Sequence, residues 1–245
     1  MRNLVQPLFL LLLLLGLPAA RAEPVHEREL HEAVRVAKDM MASRDIYSRI
    51  LAAGALSDIG DRKALGILEQ CLAVDDTVVL RSAIDTLITA NHPGSVDLLF
   101  KTASRNGEVL GLMAESLAAV PRNDMGELLA RALREQSDFV KKHALQALVR
   151  APGSGEEDAV RKVAEAPDSS PVIKAYANYT LFASGQKQLA PELFKAARSS
   201  SVDVREVAAV GLGLVDTKES RETLKALGKE TEQRVAVAAV ASSAA

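Results

Sequence analysis

"ILAAGALSDIGDRKALGILEQCL", residues 50–72, decides the fold. Apolar residues recur there at three- and four-residue intervals on either side of a break at Asp58-Ile59-Gly60-Asp61. That spacing belongs to amphipathic helices, and glycine between aspartates is turn chemistry, so the stretch reads as a helical hairpin. Working outward, the pattern returns at steps of about 31 residues. One column holds Leu56, Leu87, Leu117, Leu148, Leu181 and Leu212, with successive separations of 31, 30, 31, 33 and 31. Twelve residues after each come Leu68, Leu99, Leu129, Val160, Leu193 and Leu224. Four residues before each stand Ala52, Ala83, Met113, Ala144, Ala177 and Ala208.

Helix geometry converts these columns into an architecture. Residues four apart share a face, so the alanine and leucine columns form one inward stripe on a first helix, A. Four residues after the leucine column stand Gly60, Asn91, Pro121, Pro152, Gly185 and Asp216, each a turn former or helix breaker. The chain reverses there, and the second column opens the buried stripe of a helix B. One such hairpin leaves its apolar face bare, so consecutive hairpins must stack. Both ends carry half-repeats. "LHEAVRVAKDMM" (30–41) places Leu30, Val34, Ala37 and Met41 on one stripe and reads as a B helix against the first full repeat. "QRVAVAAVASSAA" (233–245) reads as an unpaired A helix. The expected organisation is a capping helix over 23–44 and a repeat domain over 45–245, with no Gly/Ser-rich linker between repeats.

These stretches resemble HEAT repeats, in particular the short repeats of the phycobilisome-lyase type. "VDVREVAAVGLGLVDTKESRETLKAL" (202–227) carries the likeness as clearly as residues 50–68 do. It rests partly on a basic residue seven before the leucine column: Arg49, Lys141, Lys174, Arg205 and, in the last half-repeat, Arg234. The second and third repeats depart from it with Leu80 and Leu110, and the acidic turn residue is present only as Asp61 and Asp216. The resemblance implies an all-α, right-handed α-solenoid of about six hairpins, with the B helices on the concave side where partners bind.

Residues 1–22 stand apart from the repeats. Arg2, the apolar run "LFLLLLLLGL" (8–17) and Ala20-Arg21-Ala22 have the order of a cleaved signal peptide. Cleavage is expected before Glu23, giving a periplasmic or secreted protein. Loss of Arg2 and Arg21 takes the formal charge from −2 to −4, with both signs interspersed, which argues against nucleic acid as the partner. Cys71, the single cysteine, has no internal disulfide partner and reads as a small buried hydrophobe. Tryptophan is absent and aromatics make up 3 %.

Three features bear on function. The first is "VHERELHE" (25–32), which concentrates two of the four histidines beside glutamates. His26 and His31 lie five apart, roughly 140° around a helix, so they diverge and do not form the i, i+4 pair of a zinc helix. HEAT-repeat hydroxylases hold di-iron with His-Glu dyads in several facing repeats, whereas His92 and His143 have no adjacent acid. No metal or cofactor is expected. The second is a column two residues after the B-helix leucine: Gln70, Lys101, Arg131, Lys162 and Lys195, with Lys225 one residue early. Stacked in register, these cations form a stripe suited to an acidic protein or peptide partner. Arg105, Arg134, Arg198 and Lys229 add a looser row, and Glu127 and Glu192 interrupt the stripe, as they would an ordinary solvated face. The third is the aromatic group Tyr176, Tyr179, Phe182 and Phe194, which reads either as a contact patch or as filler for a repeat two residues longer than the others. A sequon, Asn178-Tyr179-Thr180, falls inside a predicted helix. The functional expectation is an exported, non-enzymatic binding or scaffold module, monomeric by itself. The alternative is a metal-dependent enzyme or enzyme accessory using His26 and His31.

Overall fold

The computed structural model describes residues 27–90, 92–103, 107–151 and 156–243. The signal-peptide segment 1–22, His26, Arg105 and the turn residues Asn91 and Pro152 lie outside them. The described residues hold fourteen α-helices, two short 3-10 turns and no strand. The A helices are α2 (Ile46–Asp58), α4 (Thr77–Thr89), α6 (Gly107–Ala119), α8 (Asp138–Arg150), α10 (Pro171–Ala183), α12 (Val202–Leu212) and α14 (Gln233–Ser243). The B helices are α1 (Glu27–Met40), α3 (Arg62–Cys71), α5 (Pro93–Ala103), α7 (Gly126–Ala132), α9 (Glu157–Glu165), α11 (Ala190–Ala197) and α13 (Lys218–Leu227). From α2 to α12 the A helices begin at the same intervals as the leucine column.

Local chemistry explains where four of the A helices start. Asp45, Asp76, Ser137 and Ser170 stand immediately before α2, α4, α8 and α10, and each side chain accepts from a backbone N–H of the first turn. Such caps satisfy donors that a helix start otherwise leaves open. Asp61 does the same for α3 by accepting from Lys63 N at 2.9 Å, whereas at the last full repeat Thr217 caps α13 in place of Asp216. Two hairpin turns require glycine: Gly60 has φ +85° and Gly185 φ +113°, in the left-handed region. In the third and fifth repeats a 3-10 turn, Asn123–Met125 and Lys187–Leu189, precedes the B helix. Pro191 at the start of α11 accords with that delay.

The inward columns are buried throughout. The six leucines of the first column are 0–6 % exposed, the second column 0–3 %, and Ala52, Ala83, Met113, Ala144, Ala177 and Ala208 are 0 %. Small residues in that last column let neighbouring helices approach, and the leucines fill the seam between them. The chain divides into two compact units, residues 1–116 and 117–245, with the boundary inside α6. Within each, A helices two elements apart pack directly: α2 on α4 in the first, α8 on α10 and α10 on α12 in the second.

Polar side chains link successive repeats at about one repeat length. In the first unit Arg81 donates to Glu115 (2.6 Å), Lys101 to Glu69 (2.5 Å) and Ser116 Oγ to Asp85 (2.5 Å). In the second, Gln146 Nε2 donates to Tyr176 Oη (3.2 Å), Arg150 to the Ala118 carbonyl (2.6 Å) and Arg234 to Asp203 (2.7 Å). These bonds join neighbouring repeats, each a small contribution beside the buried leucine column. The basic column of the family resemblance takes part at its end. Arg205 pairs with Glu230 at 2.9 Å, and Arg234 reaches Glu206 at 3.2 Å.

Candidate functional site

The basic residues all fall on B helices: Lys101 on α5, Arg131 on α7, Lys162 on α9, Lys195 on α11 and Lys225 on α13. Lys101 belongs to the first unit and the other four to the second. Lys101 is tied to Glu69, and Lys195 leans toward Glu192 at 3.6 Å within its own helix. Lys162 and Lys225 are exposed and form no ion pair among the described residues. Exposed pairs of this kind contribute little, so the charges remain available to a partner.

In the second unit these cations border two hollows with apolar floors. One, about 580 Å³, is lined by Pro191, Phe194, Lys195 and Arg198, with Glu219 at its edge. The other, about 430 Å³, sets Arg221, Lys225 and Lys229 around Leu224 and Val240. Within these hollows Arg198 stands 4.0 Å from Glu219, and Arg221 pairs with Asp216 at 2.7 Å.

The aromatic group divides by direction. Phe182 is 3 % exposed and belongs with Leu193, Leu212 and Leu224 to the core, and Phe194 and Tyr179 both pack against the same cluster. Tyr176 and Tyr179, one turn apart on α10, instead line a cleft of about 380 Å³ on the A-helix side of the second unit. Burial pushes both phenol pKa values up, for Tyr176 against the opposing effect of its bond to Gln146. The sequon is built into the fold: Thr180 is 5 % exposed, and its hydroxyl donates to the Tyr176 and Leu145 carbonyls.

Two of the described histidines serve local structure. His92 Nδ1 accepts from Gly94 N (3.0 Å) at the start of α5, and His143 Nδ1 lies 2.9 Å from the Phe139 carbonyl. His31 is exposed on α1. Among the described residues no group of His, Cys, Asp and Glu is arranged to hold a metal ion. Cys71 is buried, and that burial raises its thiol pKa, the reverse of what a nucleophile needs. No described helix is long and apolar enough to cross a membrane.

No protein-family model matches the sequence, and no curated protein matches it. Solved structures do. The complex of CpcE and CpcF of phycocyanin lyase from Nostoc sp. PCC7120 is similar with a TM-score of 0.53 and 16 % identity, over 92 % of this chain and 89 % of that one. The fold is that of a HEAT-type α-solenoid. A HEAT-like repeats protein from the archaeon Thermococcus onnurineus NA1 aligns at 17 % identity and TM-score 0.45, over 91 % and 97 % of the two chains. A designed armadillo repeat protein solved with a peptide aligns at 18 % identity and TM-score 0.33, over 97 % and 98 %. At these identities the likeness concerns the fold and says nothing of activity.

The A-side cleft is the feature that sequence reading missed. Its signal lay two and five residues before the leucine column, where repeats five and six carry Tyr179, Tyr176, Val210 and Val207. Earlier repeats have Asp85, Glu115 and Gln146 at the first of these positions.

Proposed function

We propose that this chain is an exported, non-enzymatic binding or scaffold module that receives an acidic segment of a protein partner on its B-helix side. The observation that carries this reading is the pair of hollows in the second unit, where Lys195 with Arg198, and Lys225 with Arg221 and Lys229, stand beside apolar floors. A partner's carboxylates meet the cations while its apolar side chains occupy the hollows; Arg131 and Lys162 extend the same chemistry along α7 and α9. The lysines of the row carry primary amines that a carbodiimide couples to a partner's carboxylates, which makes the test direct. Crosslinking in intact cells followed by mass spectrometry should join Lys162, Lys195 or Lys225 to an acidic stretch of another protein. Crosslinks confined to this chain would remove the reading. Export is tested separately by N-terminal sequencing of the protein from its native envelope, with Glu23 expected as the first residue.

A second reading, an enzyme or enzyme accessory, rests on the stretch VHERELHE at residues 25–32. It would draw on the glutamate-flanked His26 and His31. Stoichiometric metal in the purified protein, lost on His26→Ala with His31→Ala, would replace the first reading with this one.

A further inference from the structure

The last A helix, α14, matches the others on its inner side and departs from them on its outer one. Ala239 continues the small-residue column 31 residues after Ala208, is likewise 0 % exposed, and α14 packs against α12 and α13. The residue after that column is 0 % exposed at Ala53, Ile84, Ala114, Leu145 and Ala209, whereas Val240 in the same place is 63 % exposed. A terminal repeat usually turns a polar face outward. Here Val240 and Leu224 instead form the floor of the hollow of about 430 Å³, ringed by Arg221, Lys225 and Lys229. One repeat earlier, α13 packs on both α11 and α12. The equivalent place beside α13 and α14 is this hollow, and no described helix follows α14 to fill it.

The first described helix has the opposite shortage. α1 is a B helix packed on α2, and no described helix precedes it. Ala33 and Ala37 hold the inward places that Ala64 and Leu68 hold 31 residues later, and are 4 % and 3 % exposed. Met40 and Met41 hold the places of the buried Cys71 and Leu72, yet both are only half-buried. Charge follows the same register. Arg198, five residues after Leu193, stands 4.0 Å from Glu219, five before Leu224. Lys229 is likewise five after Leu224, and Glu32 five before Ala37. Lys101 and Glu69, two and one residues after their leucines, are bonded. Asp39 on α1 and Lys225 on α13 hold those two places with the signs exchanged. Lys225 and Lys229 have no carboxylate partner among the described residues, whereas Arg221 has Asp216. On α1, Arg35 bonds Glu32 and lies 3.6 Å from Asp39, and Lys38 reaches Asp61 at 3.9 Å. Glu32 and Asp39 nevertheless stay exposed, and a carboxylate accepts more than one donor.

We infer that the chain associates head to tail with a second copy of itself: α1 of one copy lies on the α13–α14 hollow of the next and completes one A–B hairpin. The half-buried methionines of α1 then cover Val240, while Glu32 pairs with Lys229 and Asp39 with Lys225. The contact is heterologous, with a different surface from each copy, so a bound pair still offers one end of each kind. This departs from the expected monomer. It rests on the reading above for the chemistry of this one hollow and names its occupant; Lys162 and Lys195 are left to the other protein.

Two variants test it, in protein purified as its cell of origin makes it. Lys225→Glu with Lys229→Glu disables the hollow, and Glu32→Lys with Asp39→Lys disables α1. In sedimentation at rising concentration the unaltered protein should associate. Each variant alone should do so at least about tenfold more weakly, since opposite charges become like ones at the junction. Mixed in equal amounts the two variants should associate as well as the unaltered protein, because every junction between unlike copies again sets opposite charges together. That recovery also shows that both variants are folded. A single-chain mass at every concentration, association unmoved in both variants, or no recovery on mixing would overturn the proposal. Carbodiimide should join Lys229 to Glu32 and Lys225 to Asp39 between an isotopically light and a heavy copy; crosslinks confined to one copy would count against it. Self-association without capture of another protein at Lys162 or Lys195 would keep the junction and remove the wider row. Capture there without self-association would do the reverse.

Discussion

The outward column two residues before each leucine is used differently in the two units. In residues 1–116 it holds Gly54, set closely against Thr86, and two occupied polar groups: Asp85 accepts from Ser116, and Glu115 accepts from Arg81. In residues 117–245 it opens a surface, with Gln146, Tyr179 and Val210 lining the A-side cleft. The inward columns do not differ, since leucine and the residue four earlier are buried in every repeat. A repeat fold thus separates two demands. Inward positions set the stack and tolerate little change, while outward positions either tie neighbours together or are left for something else.

The largest effects should fall on what the units share. Leu87→Ala in the first and Leu181→Ala in the second remove side chains 0 % and 2 % exposed. Each should cost about 2–5 kcal/mol in denaturant unfolding, since a cavity is added to the lost burial. A loss below about 1 kcal/mol in either would break the claim of a common inward register. A smaller effect tests the difference between the units. The side chains of Arg81 and Glu115 are 39 % and 34 % exposed, so solvent screening limits their pair to about 0–1 kcal/mol in a double-mutant cycle. A coupling energy of several kcal/mol would mean that polar ties, rather than the leucine seam, hold the first unit together.

The smallest effect is a pH signature of the cleft. Tyr176 and Tyr179 have phenol pKa values raised by burial, so the folded chain retains protons that the unfolded chain releases. Stability from this source is complete below the unfolded tyrosine pKa of about 10 and declines as pH rises from there through the folded values. Tyr176→Phe with Tyr179→Phe should flatten that alkaline decline in thermal melts. An unchanged slope would place both phenols in water and dissolve the contrast between the units.

Much of the fold was legible because a repeat states its inward columns many times over. Six leucines, six partners twelve residues later and six residues four earlier define the stack without reference to structure, and Gly60 and Gly185 mark turns that need positive φ. Outward geometry was harder to read. Periodicity tells which side of a helix faces out, but not which outward residue meets the next repeat: Gln146 to Tyr176 and Arg150 to Ala118 depend on the offset between stacked helices. The division of the aromatics had the same cause. Tyr179 and Phe182 are three residues apart, yet one lines the cleft and the other enters the core. The basic residues were visible as a column, whereas the hollows beside Lys195 and Lys225 arise from packing between α11, α13 and α14.

The central claim is that the B-side row of the second unit receives an acidic partner. Its most direct test is the binding isotherm of a labelled glutamate-rich peptide on the full chain, compared with the variant Lys162→Glu, Lys195→Glu, Lys225→Glu. The account predicts a loss of at least about tenfold in affinity, near 1.4 kcal/mol, with an unchanged helical melt. Equal affinity of the two proteins, at low and at physiological salt, would contradict it.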